Sequence, residues 1–108
     1  MVRVRYRHWV FRLPFLRHYR GLCLGRTILF KEHETDVSAA LLRHELIHQE
    51  QIDRHGITRF YAIYFRDYLA NLWRLRDNRL AYRTIPFEQE AYARERENGP
   101  LPPFERHG

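Results

Sequence analysis

The residues with the clearest chemistry are His44-Glu45-Leu46-Ile47-His48, which read H-E-x-x-H. Residues four apart share one face of a helix, so His44 and His48 can present two imidazoles to a single metal ion. Glu45 stands about 100° round the helix from His44. Its carboxylate then falls beside such a metal, where it can take a proton from a metal-activated water. Three fixed positions in five make a modest pattern, and seven histidines and thirteen acids in 108 residues raise the rate of chance matches. A solvated, charged helix face is the plain alternative. A third ligand separates the two readings, because a catalytic zinc takes three protein ligands and keeps a fourth position for water.

The motif works only on a helix, and its surroundings predict one. In Thr35-Asp36-Val37-Ser38, either Asp36 or Ser38 can cap the free N–H groups of a helix start. Ala39-Ala40-Leu41-Leu42-Arg43 continues with strong helix formers, and Arg54-His55-Gly56 reads as an end. The expected helix runs from about Val37 to His55. The third ligand must come from another element. Thr84-Ile85-Pro86 resembles a helix start, Phe87 to about Glu97 reads as the last helix, and Asn98-Gly99-Pro100 ends it. That helix offers Glu88 and Glu90, which stand about 200° apart, so only one can face the metal.

The rest of the chain must position these residues. At this length it makes one domain with a small core. A hydrophobic fraction of 44% with seven Tyr, seven Phe and two Trp allows that core to be dense. Cys23 is the single cysteine, which excludes an intrachain disulfide and a cysteine-based zinc site; it is expected to be a small buried residue. No apolar run approaches the roughly 18 residues a membrane span needs, and no signal peptide is read, so a cytoplasmic protein is expected.

The net charge of +6 is concentrated early: residues 1–31 hold eight Arg or Lys and no acid. Val2-Arg3-Val4-Arg5-Tyr6-Arg7 alternates like a strand with one wet face, which Trp9 to Leu13 would extend before Pro14. Gly21 and Gly25 bracket an expected turn, and Arg26 to Lys31 reads as a second strand. Arg3, Arg5 and Arg7, interleaved with Tyr6, Trp9, Phe11, Phe15 and Tyr19, form the kind of basic surface that also binds nucleic acid; a solvated strand face is the alternative. Ile57 to about Arg76 carries apolar residues over a broad helical arc and is expected to be long and largely covered, its aromatics in the core. Asp77 to Arg83 reads as a connection or short turn. The expected fold class is α+β: a small N-terminal β-sheet, then an active-site helix, a packing helix and a final helix, with residues 1–98 as the domain and 99–108 as a loosely held proline-rich tail.

His44-Glu45-Leu46-Ile47-His48-Gln49-Glu50-Gln51, followed by a downstream Glu-x-x-Ala, resembles the gluzincin clan of zinc metallopeptidases, and is similar to the very small bacterial minigluzincin-like proteins. The likeness spans about residues 26–95. It implies a zincin-like fold, one Zn2+ per chain and metalloendopeptidase-like hydrolysis of a peptide or protein substrate. In that clan the third ligand is a glutamate on a separate glutamate helix, written Glu-x-x-Ala or Glu-x-x-x-Asp. Glu88-Gln89-Glu90-Ala91 matches the first form with Glu88 as ligand, while Tyr92 stands where the clan often has Asp. A frame from Glu90 also matches but puts Arg94 in the Asp position, a poor neighbour for a cation. Glu88 is therefore preferred and Glu90 is the alternative.

The resemblance also implies that the strand before the active-site helix forms the rim of the cleft and pairs with an extended substrate; Thr27-Ile28-Leu29-Phe30 is expected there. His44, His48 and Glu88 would hold the metal and Glu45 would be the general base. Tyr61, Tyr64, Tyr82 and His55 are candidate donors to the oxyanion. Gln51 and Asp53 stand near the histidines, but spacing assigns neither to them. Two other readings remain at this point. One is a basic nucleic-acid-binding module using Arg3, Arg5 and Arg7. The other is a zinc-binding but catalytically latent protein whose tail covers the cleft.

Overall fold

The alternation in Val2-Arg3-Val4-Arg5 builds the first strand, β1 (Val2–Arg5), with buried valines and exposed arginines. The computed structural model describes residues 2–14, 16–17, 19–97, 99–101 and 103–107, the last two in their backbone only. Phe15, Asn98 and Gly108 lie outside the described residues. β1 stops because Arg7 takes a left-handed φ of 53°. Trp9–Arg12, expected to extend the strand, forms a 3-10 turn instead, capped by His8 Nδ1 accepting from the N–H of Val10.

Where a turn was expected between Gly21 and Gly25, the chain forms a strand, β2 (Gly21–Leu24), antiparallel to β3 (Thr27–Phe30). Leu22-Cys23-Leu24 supplies apolar residues enough to pair. The reversal is confined to Gly25-Arg26, where Gly25 adopts a φ of 61° that a side chain resists. β1 lies parallel to β3 on its far side. Residues 99–108, read as a loose tail, supply a fourth strand, β4 (Phe104–His107), parallel to β1. The sheet order is β2-β3-β1-β4. Arg43 Nη2 donates to the carbonyl of Gly99 at 2.8 Å, holding the approach to β4.

The helices follow their local signals. Ser38 caps α1 (Ala39–His55), its hydroxyl accepting from Leu41 N–H at 3.1 Å. Gly56, with φ 84°, turns the chain directly into α2 (Ile57–Leu75). Arg76 ends α2 in the left-handed region, and Asp77 caps α3 (Asn78–Arg83) through Leu80 N–H. Pro86 opens α4 (Pro86–Arg94), where its missing N–H is not needed.

Val4, Cys23, Ile28 and Phe30 from one face of the sheet pack against Leu42, Leu46 and Ile52 of α1 and Phe60 of α2. α2 departs from expectation. Only Phe60 and Asn71 are buried on it, and Phe65, Leu69 and Trp73 face solvent. The protein is α+β, a four-stranded sheet on one side of a helical layer, and α1 lies between the sheet and α4.

Candidate metal centre

α1 carries His44 and His48 one turn apart, both buried. The ligand atoms of His44, Glu45 and His48 lie within 4.8 Å of one another, and this group could hold a metal ion. α4 packs across α1 and delivers Glu88 in its first turn. Glu88 Oε1 stands 2.9 Å from His44 Nε2 and 3.1 Å from His48 Nε2. Glu90, two residues on, points elsewhere: its carboxylate accepts from Gln51 at 2.8 Å and from Arg94 at 3.1 Å. The about 200° separation expected on a helix therefore sends one glutamate to the histidines and the other to the flank.

The far nitrogens of both histidines are held. His44 Nδ1 lies 2.7 Å from Glu95 Oε2, a carboxylate that can only accept, so Nδ1 carries the proton. His48 Nδ1 lies 2.8 Å from Gln51 Oε1. Gln51 spends its amide hydrogens on the carbonyl of Phe87 and on Glu90, which fixes Oε1 as an acceptor and Nδ1 of His48 as the donor. With Nδ1 protonated on both rings, each Nε2 presents a lone pair in the neutral form. Two lone pairs and a carboxylate oxygen then face one another in a buried space. They repel unless a cation stands among them, either protons or a metal.

The electrostatics follow from that crowding. For His48, burial pulls the imidazolium down, but the bond and charge of Glu88 outweigh it and push the pKa up to about 9. His44 shifts up in the same sense. Burial would raise Glu88, but its bonds from His44 and His48 hold it well below the usual carboxylate range. Glu45, buried, is pushed up by burial and pulled partly back by the two histidines.

The tyrosines named from the sequence divide. Tyr64 donates to Glu88 Oε2 at 2.5 Å, so its hydroxyl is spent on the second oxygen of that carboxylate. Tyr61 donates to the carbonyl of Cys23 on β2. Burial and the negative charge of Glu88 push the phenol of Tyr82 far up, so it stays protonated. His55 packs at a tilt against Phe87, 5.3 Å between ring centres, and borders neither cavity at the site. Asp53 accepts from Gln49, not from a site histidine.

Two cavities open on the centre. One, of about 330 Å³, is walled by Leu22, Phe60, Tyr61, Tyr64 and Phe65 and reaches Glu45, His48 and Glu88. The other, of about 920 Å³, reaches His44 and Glu45 and is rimmed by Arg20, Arg79, Glu95 and Arg96. Tyr19, Gly21, Glu45 and Tyr82 border both.

Thr27–Phe30 cannot be the rim strand expected from sequence. β3 is bonded on both sides, to β2 and to β1, and has no edge to offer. The edge nearest the centre is β2. The N–H of Lys31 donates to the carbonyl of Arg20, and that of His8 to the carbonyl of Phe30. Alternation along an antiparallel pair then turns the backbone groups of Gly21 and Cys23 away from β3, toward the cleft. β2 also comes close to α1 there: a Cβ on Gly21 would sit 3.1 Å from Glu45 Cγ and Cδ. Among the described residues, none of the tail borders either cavity, and β4 lies at the opposite edge of the sheet. Arg3 and Arg5 stand exposed on the outer face of β1, away from the cleft.

Two contributors escaped the sequence reading. Glu95 lies seven residues after Glu88, which returns to the same helical face, and that spacing was the available signal. β2 was hidden because its glycines read as a turn. Compared with known proteins, the chain matches no family model, no curated protein and no solved structure.

Proposed function

We propose that the protein is a zinc-dependent metallopeptidase with a zincin-like, gluzincin-type centre: His44, His48 and Glu88 as ligands of one Zn2+, and Glu45 as general base. The observation that carries this reading is the convergence of two Nδ1-protonated imidazoles and one carboxylate on a buried point that needs a cation. The donor set is chemically right, since two His and one Glu are a catalytic zinc set. Ligands of a tetrahedral zinc stand about 3.3–3.5 Å apart, given bonds of about 2.0–2.2 Å. The present 2.9 and 3.1 Å would open by a few tenths, which two side chains on separate helices can supply. Glu95 and Gln51 would orient the imidazoles, as the outer partners of metal-bound histidines do.

Bound there, zinc supplies a Lewis acid that brings the pKa of water down to about 7. Glu45 takes the proton of the attacking water and passes it to the leaving amine nitrogen. Of the candidate tyrosines, Tyr82 alone borders both cavities, and it is the donor this reading assigns to the oxyanion. An extended peptide adds to β2 through the outward N–H and carbonyl of Gly21 and the N–H of Cys23, whose carbonyl already accepts from Tyr61, which gives affinity with little sequence preference. The test is hydrolysis of a quenched peptide library by the zinc-loaded protein. Glu45→Gln should retain zinc and lose about 10²–10⁴ in turnover, the usual worth of a general base. A variant as active as the parent would contradict the assignment. Nucleic-acid binding through Arg3, Arg5 and Arg7 is the second reading, favoured by the exposure of all three. It predicts an affinity that falls steeply with salt and is indifferent to Glu45→Gln.

A further inference from the structure

α2 has a second face that the metal centre does not use. Phe65, Leu69 and Trp73 recur at four-residue intervals and are 56%, 62% and 75% exposed, where a packing helix would hide them. They span an arc of about 80°. Arg66 follows about 20° beyond Trp73, and Arg59 about 40° beyond it. Both arginines are exposed. Arg76 lays its guanidinium 4.8 Å from the centre of the Trp73 ring, at the end of the same face.

The charge around this face has one sign. From residue 57 to 83 there are six arginines and two acids. The acids are already engaged: Asp67 pairs with Arg66 at 3.2 Å, and Asp77 caps α3. An aromatic and aliphatic stripe of Phe, Leu and Trp bordered by arginine is the composition of a helix that lies in a membrane interface. No helix of the described chain is long and apolar enough to cross a membrane, so contact would be superficial.

We propose that this face of α2 docks the protein on an anionic lipid surface. Phe65, Leu69 and Trp73 enter the boundary between headgroups and acyl chains, while Arg59, Arg66 and Arg76 meet the lipid phosphates. A second copy of the chain is the poorer occupant. It would bring a second face bordered by Arg59, Arg66 and Arg76 against the first, and like charges across an interface repel. Phe65 also walls the apolar cavity beside His48 and Glu88, so that cavity borders the docked face.

The experiment uses the full chain and two kinds of extruded vesicle, phosphatidylcholine alone and phosphatidylcholine with phosphatidylglycerol. A Trp9→Phe background leaves Trp73 as the one tryptophan. The proposal expects sedimentation with the anionic vesicles alone and a blue shift of Trp73 emission on binding. Leu69→Glu, at an exposed position that leaves the core intact, should lower the binding by about tenfold or more. Three results would overturn it. One is no binding to either vesicle. A second is binding without a shift of Trp73 emission, which would place the contact on arginines alone. A third is self-association in sedimentation velocity that Leu69→Glu abolishes, which would make a second copy the occupant. None of these depends on metal or on hydrolysis, so the docking face and the metallopeptidase reading stand or fall separately.

Discussion

Glu88 receives Tyr64 on one oxygen and faces both imidazoles with the other, so a single side chain ties α4 and α2 to the histidines of α1. Burying such a carboxylate costs less than burying it alone because both of its oxygens have partners. The proton positions decide the rest. Glu95 and Gln51 set both histidines as Nδ1–H tautomers, and removing either acceptor frees its ring to turn or to take the other tautomer. Glu95→Gln should therefore keep the fold and weaken zinc by about 10–100-fold, the usual cost of losing an outer partner. Competition with a chromogenic chelator measures it, and an unchanged affinity would remove Glu95 from the site. At this scale much was legible. The H-E-x-x-H spacing names its own helical face; the helical period allowed only one of Glu88 and Glu90 to turn inward, and Glu88 was preferred because a frame from Glu90 sets Arg94 beside the cation. Glu95 was missed because it lies at the frayed end of that helix, where sequence periodicity fades. Tyr64 was one of four candidate oxyanion donors with none chosen, since periodicity places a side chain on an arc without saying which oxygen it will meet.

Between elements, the close approach of β2 to α1 controls how Glu45 is held. Gly21 faces the Glu45 side chain where a methyl group would meet Cγ and Cδ at 3.1 Å, tighter than ordinary contact. Glu45 or the strand must give by a few tenths of an ångström. Gly21→Ala should leave zinc stoichiometry unchanged while turnover falls by about tenfold, because small misplacement of a catalytic group is costly. Parallel zinc and peptidase assays check this, and full activity in the variant would mean that β2 does not position the base. The resemblance placed substrate pairing on Thr27–Phe30 because that run is the strand expected before the active-site helix, and its apolar, β-branched composition is strong. Strength of composition marks a central strand, and a central strand has no edge. The weaker Gly21–Leu24 run takes the edge. A similar limit applies to α2: its apolar arc was read as core, but a helix can be apolar on more than one side when the second side has a partner outside the chain.

For the whole molecule, the α+β class and the order of the main helices followed from periodicity, capping residues and glycines, all of them local signals. β4 did not, because parallel pairing of the last residues with the first is a contact between chain ends that no local pattern encodes. The buried centre also couples to folding. In the metal-free protein the His48 pKa rises from the ordinary 6.5 to about 9, so the folded state holds this proton more tightly than the unfolded state. The stability from this group is complete below about pH 6.5 and is lost as pH climbs through about 9. A melting temperature that falls over that window without zinc, and stays flatter with zinc bound, is expected from thermal scans at several pH values. The reverse order would show that the histidines are neutral in the apo fold.

The most direct measurement is the metal content of the purified protein by mass-resolved elemental analysis, beside a His44→Ala/His48→Ala control. The account predicts about one zinc per chain in the parent and none in the control. An absence of zinc in the parent even after reconstitution, or an equal content in both, would contradict it.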